Sequence, residues 1–141
     1  MTRSYQVERH IVAPPERVWA VLTDAAGYRD WNQSIVSIDG DMSVGSTVRL
    51  VSTLAPKRTF TLKVTEASPP NLMVWSDRKP LGLFTGMRTF RMTAGNGGTD
   101  FAMAETFSGP LAGLITRAIP DMTESFQQYA DGLATAAERP R

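Results

Sequence analysis

The feature that most limits the fold is a series of strand-like segments between residues 34 and 108, separated by short turns. In the clearest one, TFTLKVTEA, the apolar residues Phe60, Leu62 and Val64 alternate with polar ones. A period of two is typical of a strand with one buried face. Because short turns cannot connect parallel neighbours, the sequence predicts an antiparallel sheet.

One connection in this series has the composition of a hairpin turn. The tetrapeptide GNGG, from Gly95 to Gly98, separates the segments TGMRTFRMTA and TDFAMAETFS. Glycine and asparagine adopt positive φ angles at little cost, as a tight hairpin turn requires. Since a strand follows and not a helix, the glycines do not indicate a phosphate-binding loop.

Helical patterns flank the strands. A first strand over 4–12 leads into APPERVWAVLTD, where two prolines, Glu16 and an apolar stripe predict a short helix. Between residues 111 and 136, apolar residues recur at steps of three and four, which predicts one long amphipathic helix, kinked or divided at Pro120. This order predicts an α+β fold in which helices cover one face of a curved antiparallel sheet.

Composition excludes several classes of function. The 141 residues include no cysteine and one histidine, His10, which argues against zinc sites and a Ser-His-Asp triad. A net charge of +1, spread along the chain, gives no footprint for nucleic acid or an anionic membrane. There is no apolar run of the ~20 residues that span a bilayer, and no secretory signal. We therefore expect one cytoplasmic domain over 1–141, without metal or cofactor.

Some charged residues fall where apolar ones are expected. Glu105 shares a strand face with Phe101, Met103 and Phe107, and Arg9 falls on the apolar face of the first strand. A buried carboxylate is costly unless it is paired, and burial raises its pKa toward a range that suits acid–base chemistry.

Two further arginines fall within one strand. Arg88 and Arg91 lie on opposite strand faces, so at most one points inward, and a solvent-facing position explains either one.

The segment IVAPPERVWAVLTDAAGYRDWNQSI resembles the beginning of the START-related lipid-transfer and polyketide cyclase superfamily. The matching positions are Ile11, Ala13, Pro14, Pro15, Val18, Trp19, Asp24, Tyr28, Trp31 and Asn32. Further matches are PPNLMVW, GNGGTDF and ETFSGPLAGLI, so the resemblance covers nearly the whole chain. It is more specific for fold than for function, because this family hosts binding proteins, cyclases, regulators and chaperone activators.

The resemblance implies a helix-grip fold, in which a curved seven-stranded antiparallel sheet wraps around a long C-terminal helix. It also implies two short helices between the first two strands and a deep apolar pocket between sheet and helix. In this arrangement the first and last strands are neighbours, which would make Arg9 and Glu105 a cross-strand pair. We expect a structural pair, with orientation of a ligand's carbonyl or carboxylate as the alternative. Tyr28 and Trp31 act either as structural wedges or, for Trp31, as a wall at one end of the pocket.

The predicted function is the binding of a small hydrophobic molecule, such as a lipid, a polyketide or an aromatic metabolite, between the sheet and the last helix. The residues predicted to line the pocket are Arg9, Trp31, Leu62, Met73, Trp75, Met87, Met103, Glu105, Phe107, Met122 and Phe126. The methionines are also compatible with core packing, because methionine fills irregular space in both settings.

Two other functions remain open. A cyclase or dehydratase would use Glu105 or Tyr129 to move a proton, with much of the catalysis resting on positioning. A protein-interaction module, as in relatives that activate a chaperone, would need an exposed patch. A homodimer is also left open.

Overall fold

The computed structural model describes residues 3–117 and 120–140. Its elements are, in order, β1 (Arg3–Ile11), α1 (Pro15–Leu22), a 3₁₀ turn (Ala25–Gly27), α2 (Tyr28–Trp31), β2 (Ile35–Asp39), β3 (Thr47–Ser52), β4 (Phe60–Ser68), β5 (Leu72–Arg78), a second 3₁₀ turn (Pro80–Gly82), β6 (Thr85–Gly95), β7 (Gly98–Ser108), α3 (Ala112–Thr116) and α4 (Thr123–Glu138). The strands form one curled antiparallel sheet in the order β1-β7-β6-β5-β4-β3-β2. The expected α+β helix-grip architecture is confirmed, with two short α-helices between the first two strands.

The β6–β7 hairpin sets the register between the second and third strands of the sheet, counted from β1. Its two turn residues, Asn96 and Gly97, have φ angles of 49° and 78°, which confirms the hairpin predicted from GNGG. The pairing then continues without a shift to the far end of both strands. As a result, Arg88 of β6 lies directly opposite Glu105 of β7.

The C-terminal helical region is divided. α3 ends at Thr116 and α4 begins at Thr123, and Pro120 lies between them, as its missing N–H would favour. Two residues of the predicted stripe, Ala118 and Ile119, lie outside the described residues. Within 3–117 and 120–140, the helices are all too short or too polar to cross a membrane.

The predicted apolar stripe is buried on α4 only. Phe126 and Leu133 are fully buried, whereas Leu111 and Leu114 are 38% and 65% exposed. The five-residue helix α3 buries its other face, so the continuous stripe expected from the three- and four-residue steps is wrong before Pro120.

α2 is held against α4 by aromatic packing and by one close backbone approach. Tyr28 and Trp31 pack with Tyr129 of α4, with ring centroids 5.8 and 5.7 Å away from that of Tyr129. Beside them, a Cβ added at Gly132 would lie 2.1 Å from the backbone oxygen of Trp31. The two aromatics of α2 therefore join this short helix to the long one.

Candidate functional site

A cavity of about 110 Å³ lies between one end of the curled sheet and residues of α3 and α4. Its apolar lining includes Leu50, Phe60, Leu62, Trp75, Phe107 and Met122. Two charged residues on its wall, Arg88 and Glu105, are largely buried, while Arg58 and Lys79 border it from the exposed side. The cavity is therefore mainly apolar, with charge at its inner end and at its mouth.

Five of the residues predicted to line a pocket border this cavity. They are Leu62, Trp75, Glu105, Phe107 and Met122. They come from β4, β5, β7 and the residue that precedes α4, so strands that are distant in sequence meet at one end of the sheet.

Other predicted pocket residues fill the rest of the space between the sheet and α4. Met73, Met103 and Phe126 belong to the packed core and do not border the cavity. Trp31 is also buried, and it packs on α4 and not at the end of the cavity. Strand alternation placed Met73 and Met103 in the interior and the helical period placed Phe126 there, but neither pattern carries information on depth along the sheet.

β6 turns Arg88 inward. Arg88 is buried and Arg91 is exposed, so one of the two arginines points inward, and a solvent-facing position is wrong for Arg88. Met87, which was predicted to line the pocket, is half-buried on the opposite face from Arg88. Its assignment to the pocket followed from its residue type and not from the alternation of β6.

The expected pair of Arg9 with Glu105 is wrong. β1 and β7 are neighbours as expected, but the register places Phe101 opposite Arg9 and Tyr5 opposite Glu105. Arg9 forms an ion pair with Asp131 of α4 instead, and it does not border the cavity. The order of strands in a sheet does not fix their register, and this is why the partner was missed.

Arg88 and Glu105 form the buried ion pair of the site. Arg88 Nε donates to Glu105 Oε1 at 2.8 Å, and the two side chains are 10% and 13% exposed. The guanidinium carbon also lies 4.9 Å from the ring centroid of Phe126 and 5.7 Å from that of Tyr129. Burial alone would lower the pKa of Arg88, but the facing Glu105 carboxylate raises it, and the net shift is upward. Arg88 therefore keeps its charge in a mainly apolar wall.

Two buried phenols lie next to Arg88. The Tyr129 and Tyr28 hydroxyl oxygens are 2.7 Å apart, and Tyr28 donates to the Leu22 carbonyl at 2.5 Å. Since Tyr28 has one proton to donate, Tyr129 is the donor to Tyr28. Burial raises the pKa of both phenols above the ordinary value, so both stay protonated at neutral pH. Tyr129 does not border the cavity, and this argues against the proton-transfer role that a cyclase would give it.

The remaining polar groups offer limited chemistry. Asp77, the second carboxylate on the cavity wall, pairs with Lys79 at 3.2 Å on the exposed side. His10 lies on the surface, 2.8 Å from Asp100. Among residues 3–117 and 120–140, no three His, Asp or Glu side chains form a group that could hold a metal ion.

The resemblance noted in the sequence is confirmed by comparison with known proteins. The family model described as "Polyketide cyclase / dehydrase and lipid transport" matches residues 2–138. No curated protein matches the chain.

Three solved structures show the similarity of fold. The Zhui aromatase/cyclase from Streptomyces sp. R1128 has a TM-score of 0.76 at 18% identity, over 99% of this chain and 95% of that chain. Truncated norcoclaurine synthase from Thalictrum flavum has a TM-score of 0.73 at 13% identity, over 100% and 96%. A protein from Rhodobacter sphaeroides has a TM-score of 0.71 at 24% identity, over 96% of both chains. At these identities the likeness concerns the fold alone.

Proposed function

Because the chain belongs to the polyketide cyclase/dehydrase and lipid-transport family, we propose that it binds a small, mainly apolar molecule in the cavity beside α3 and α4. Family membership supports a ligand-binding or cyclase role. The observation that carries the finer proposal is an apolar cavity whose wall includes one buried ion pair, Arg88 with Glu105. Apolar walls with a few fixed polar groups are typical of small-molecule sites.

The volume of the cavity limits the part of the ligand that it encloses. Its 110 Å³ is somewhat less than the roughly 150 Å³ of an engineered cavity that holds benzene. We therefore expect one ring or a short acyl segment inside, with the rest of the ligand extending past Arg58 and Lys79. Burial of about 100 Å² of apolar surface contributes about 2–3 kcal/mol, so a single ring binds weakly and the extended part must add affinity.

The ion pair orients the enclosed group. Arg88 uses its Nε–H for Glu105, and its two Nη groups make no hydrogen bond with residues 3–117 and 120–140. A carbonyl or hydroxyl of the ligand is a suitable acceptor for these donors. A buried ion pair adds little net stability to a fold, which supports a role in ligand contact.

A pair of adjacent substitutions on β4 tests the proposal. Leu62 borders the cavity, whereas Thr61 is exposed on the other face of the strand. With the uncharged fluorescent probe N-phenyl-1-naphthylamine, we expect Leu62→Trp to fill the cavity and weaken binding by about tenfold or more, because the loss of burial removes at least ~1.4 kcal/mol.

The matched control is Thr61→Trp, which we expect to bind the probe as the unchanged chain does. Circular dichroism checks that both variants are folded. Equal binding by Leu62→Trp and Thr61→Trp would place the probe outside the cavity and contradict the proposal.

A cyclase-type reaction is the second candidate, and the position of Glu105 on the cavity wall favours it. Glu105 would exchange a proton with the enclosed ligand, while the walls fix the conformation of the ligand. Loss of turnover of a polyketide-like substrate in Glu105→Gln, with probe binding retained, would support the enzyme. Turnover unchanged in that variant would exclude this role for Glu105.

A further inference from the structure

Exposed leucines are concentrated at the end of the molecule that holds the cavity. The exposed large apolar residues of the described chain are Val12, Val36, Val44, Leu81, Leu83, Leu111 and Leu114. The four leucines belong to two segments that touch, since the Leu83 carbonyl accepts a hydrogen bond from the Leu111 N–H at 2.9 Å. These four residues are called the leucine patch below.

Leu81 contributes least to the folded state. It is 94% exposed, and its φ of 60° and ψ of 22° lie in the left-handed region, which favours glycine or asparagine over a leucine. The side chain therefore provides neither burial nor a favoured backbone conformation to the fold. Burial of the Leu81 side chain against a partner outside the chain would therefore be favourable.

Basic residues are concentrated at the same end of the molecule as the leucine patch and are called its basic rim. The register of the sheet brings Arg3, the 53–59 loop, the 77–84 segment and the residues after β7 to one end. These segments and the first turn of α4 contain six basic residues, Arg3, Lys57, Arg58, Arg78, Lys79 and Arg117, and three acidic ones, Asp77, Asp121 and Glu124. Although the net charge of the chain is only +1, this end carries a local excess of positive charge. The conclusion from composition that no surface of the chain suits an anionic membrane is therefore wrong for this end.

We propose that the leucine patch and its basic rim form a docking surface for an anionic lipid bilayer. The leucines insert below the headgroups, while the basic side chains contact the negatively charged headgroups. A second copy of this chain is a poorer occupant, because a symmetric contact would bring two positively charged rims together.

Docking would bring the cavity close to the lipid. Lys79, Phe84 and Ile115 border the cavity, and each lies within or beside the segments that carry the leucine patch. An apolar molecule leaving the bilayer would thus have a short path to the cavity. Vesicle binding itself needs no cavity ligand, so it is tested independently of the proposed function.

Co-sedimentation with vesicles tests the docking surface. We expect the chain to bind vesicles of phosphatidylcholine with roughly a third of phosphatidylglycerol, and to lose binding on pure phosphatidylcholine or in high salt. Leu81→Asn should weaken binding by about tenfold, because it removes one inserted leucine side chain. Asparagine suits the backbone at this position, so the variant should stay folded.

Two further variants complete the test. Lys57→Gln should weaken binding about fivefold, as expected for one basic residue near an anionic surface. Val44→Asn is the matched control, since Val44 is exposed but lies in the loop before β3, and binding should be unchanged.

Absence of binding to anionic vesicles would overturn the proposal, and so would equal binding by Leu81→Asn and the unchanged chain. A dimer in size-exclusion chromatography that Leu81→Asn abolishes would assign the leucine patch to a second copy and would also overturn it.

Discussion

At the scale of single residues, the two arginine–carboxylate pairs differ most clearly in their exposure to solvent. Arg88 and Glu105 are 10% and 13% exposed, whereas Arg9 and Asp131 are 39% and 48% exposed. Removing one partner of a buried pair leaves the other charge without compensation, while exposed pairs contribute little because water screens them. Two ion pairs of similar composition therefore differ in their effect on stability.

We expect Glu105→Gln to lower the free energy of unfolding by about 3 kcal/mol, since Arg88 then stays charged in a mostly apolar site. The double variant Arg88→Met/Glu105→Gln should recover much of this loss, because no buried charge is left. Urea denaturation of the two single variants and the double variant measures the coupling.

Arg9→Met is the control, and its cost should stay below about 1 kcal/mol. Additive effects of the two substitutions at the buried pair would mean that Arg88 and Glu105 do not interact.

The partner of Glu105 could have been predicted from the sequence. Once GNGG is a two-residue hairpin, Gly95 pairs with Gly98, and seven residues outward along each strand lie Arg88 and Glu105. The pairing of β1 with β7 has no such turn to fix it, so the partner of Arg9 could not be read in the same way.

At the scale of elements, α4 was predicted well because its apolar stripe is buried from Phe126 to Ala137. α3 was not, because a helix of five residues gives too few turns for periodicity to select a buried face. The contact of α4 with α2 left only a weak signal in the sequence. Gly132, in the middle of a helix, is unfavourable by itself, and this marks a site where another backbone approaches.

We expect Gly132→Ala to destabilise the fold by about 1–3 kcal/mol, because the new Cβ would overlap the Trp31 backbone oxygen. The sign of this change in stability is informative, since alanine in place of glycine within a helix normally stabilises the fold by roughly 0.5–1 kcal/mol. Thermal or urea unfolding measures the change.

Thr135→Ala, at an exposed position of the same helix, is the control and should be neutral or slightly stabilising. A Gly132→Ala variant as stable as this control would show that α2 and α4 can separate at no cost.

For the whole molecule, the essential feature is that the space between the sheet and the helices is divided. One part is filled by side chains such as Met73, Met103 and Phe126, and the other part is the cavity that Met122 borders. The sequence predicts an interior between sheet and helix from alternation and from the family resemblance. It cannot predict where that interior is filled, because filling depends on the curl of the sheet and on the depth of each side chain.

Methionine methyl NMR tests this division most directly, since the seven methionines sample both parts and the surface. In a chain labelled with ¹³C at the methionine methyl groups, we expect toluene to shift the signal of Met122, because a ring in the cavity lies against it. The signals of Met73 and Met103 should stay unchanged, since the core around them has no room for a ring. A titration that shifts Met73 or Met103, or that leaves Met122 unchanged, would contradict the account.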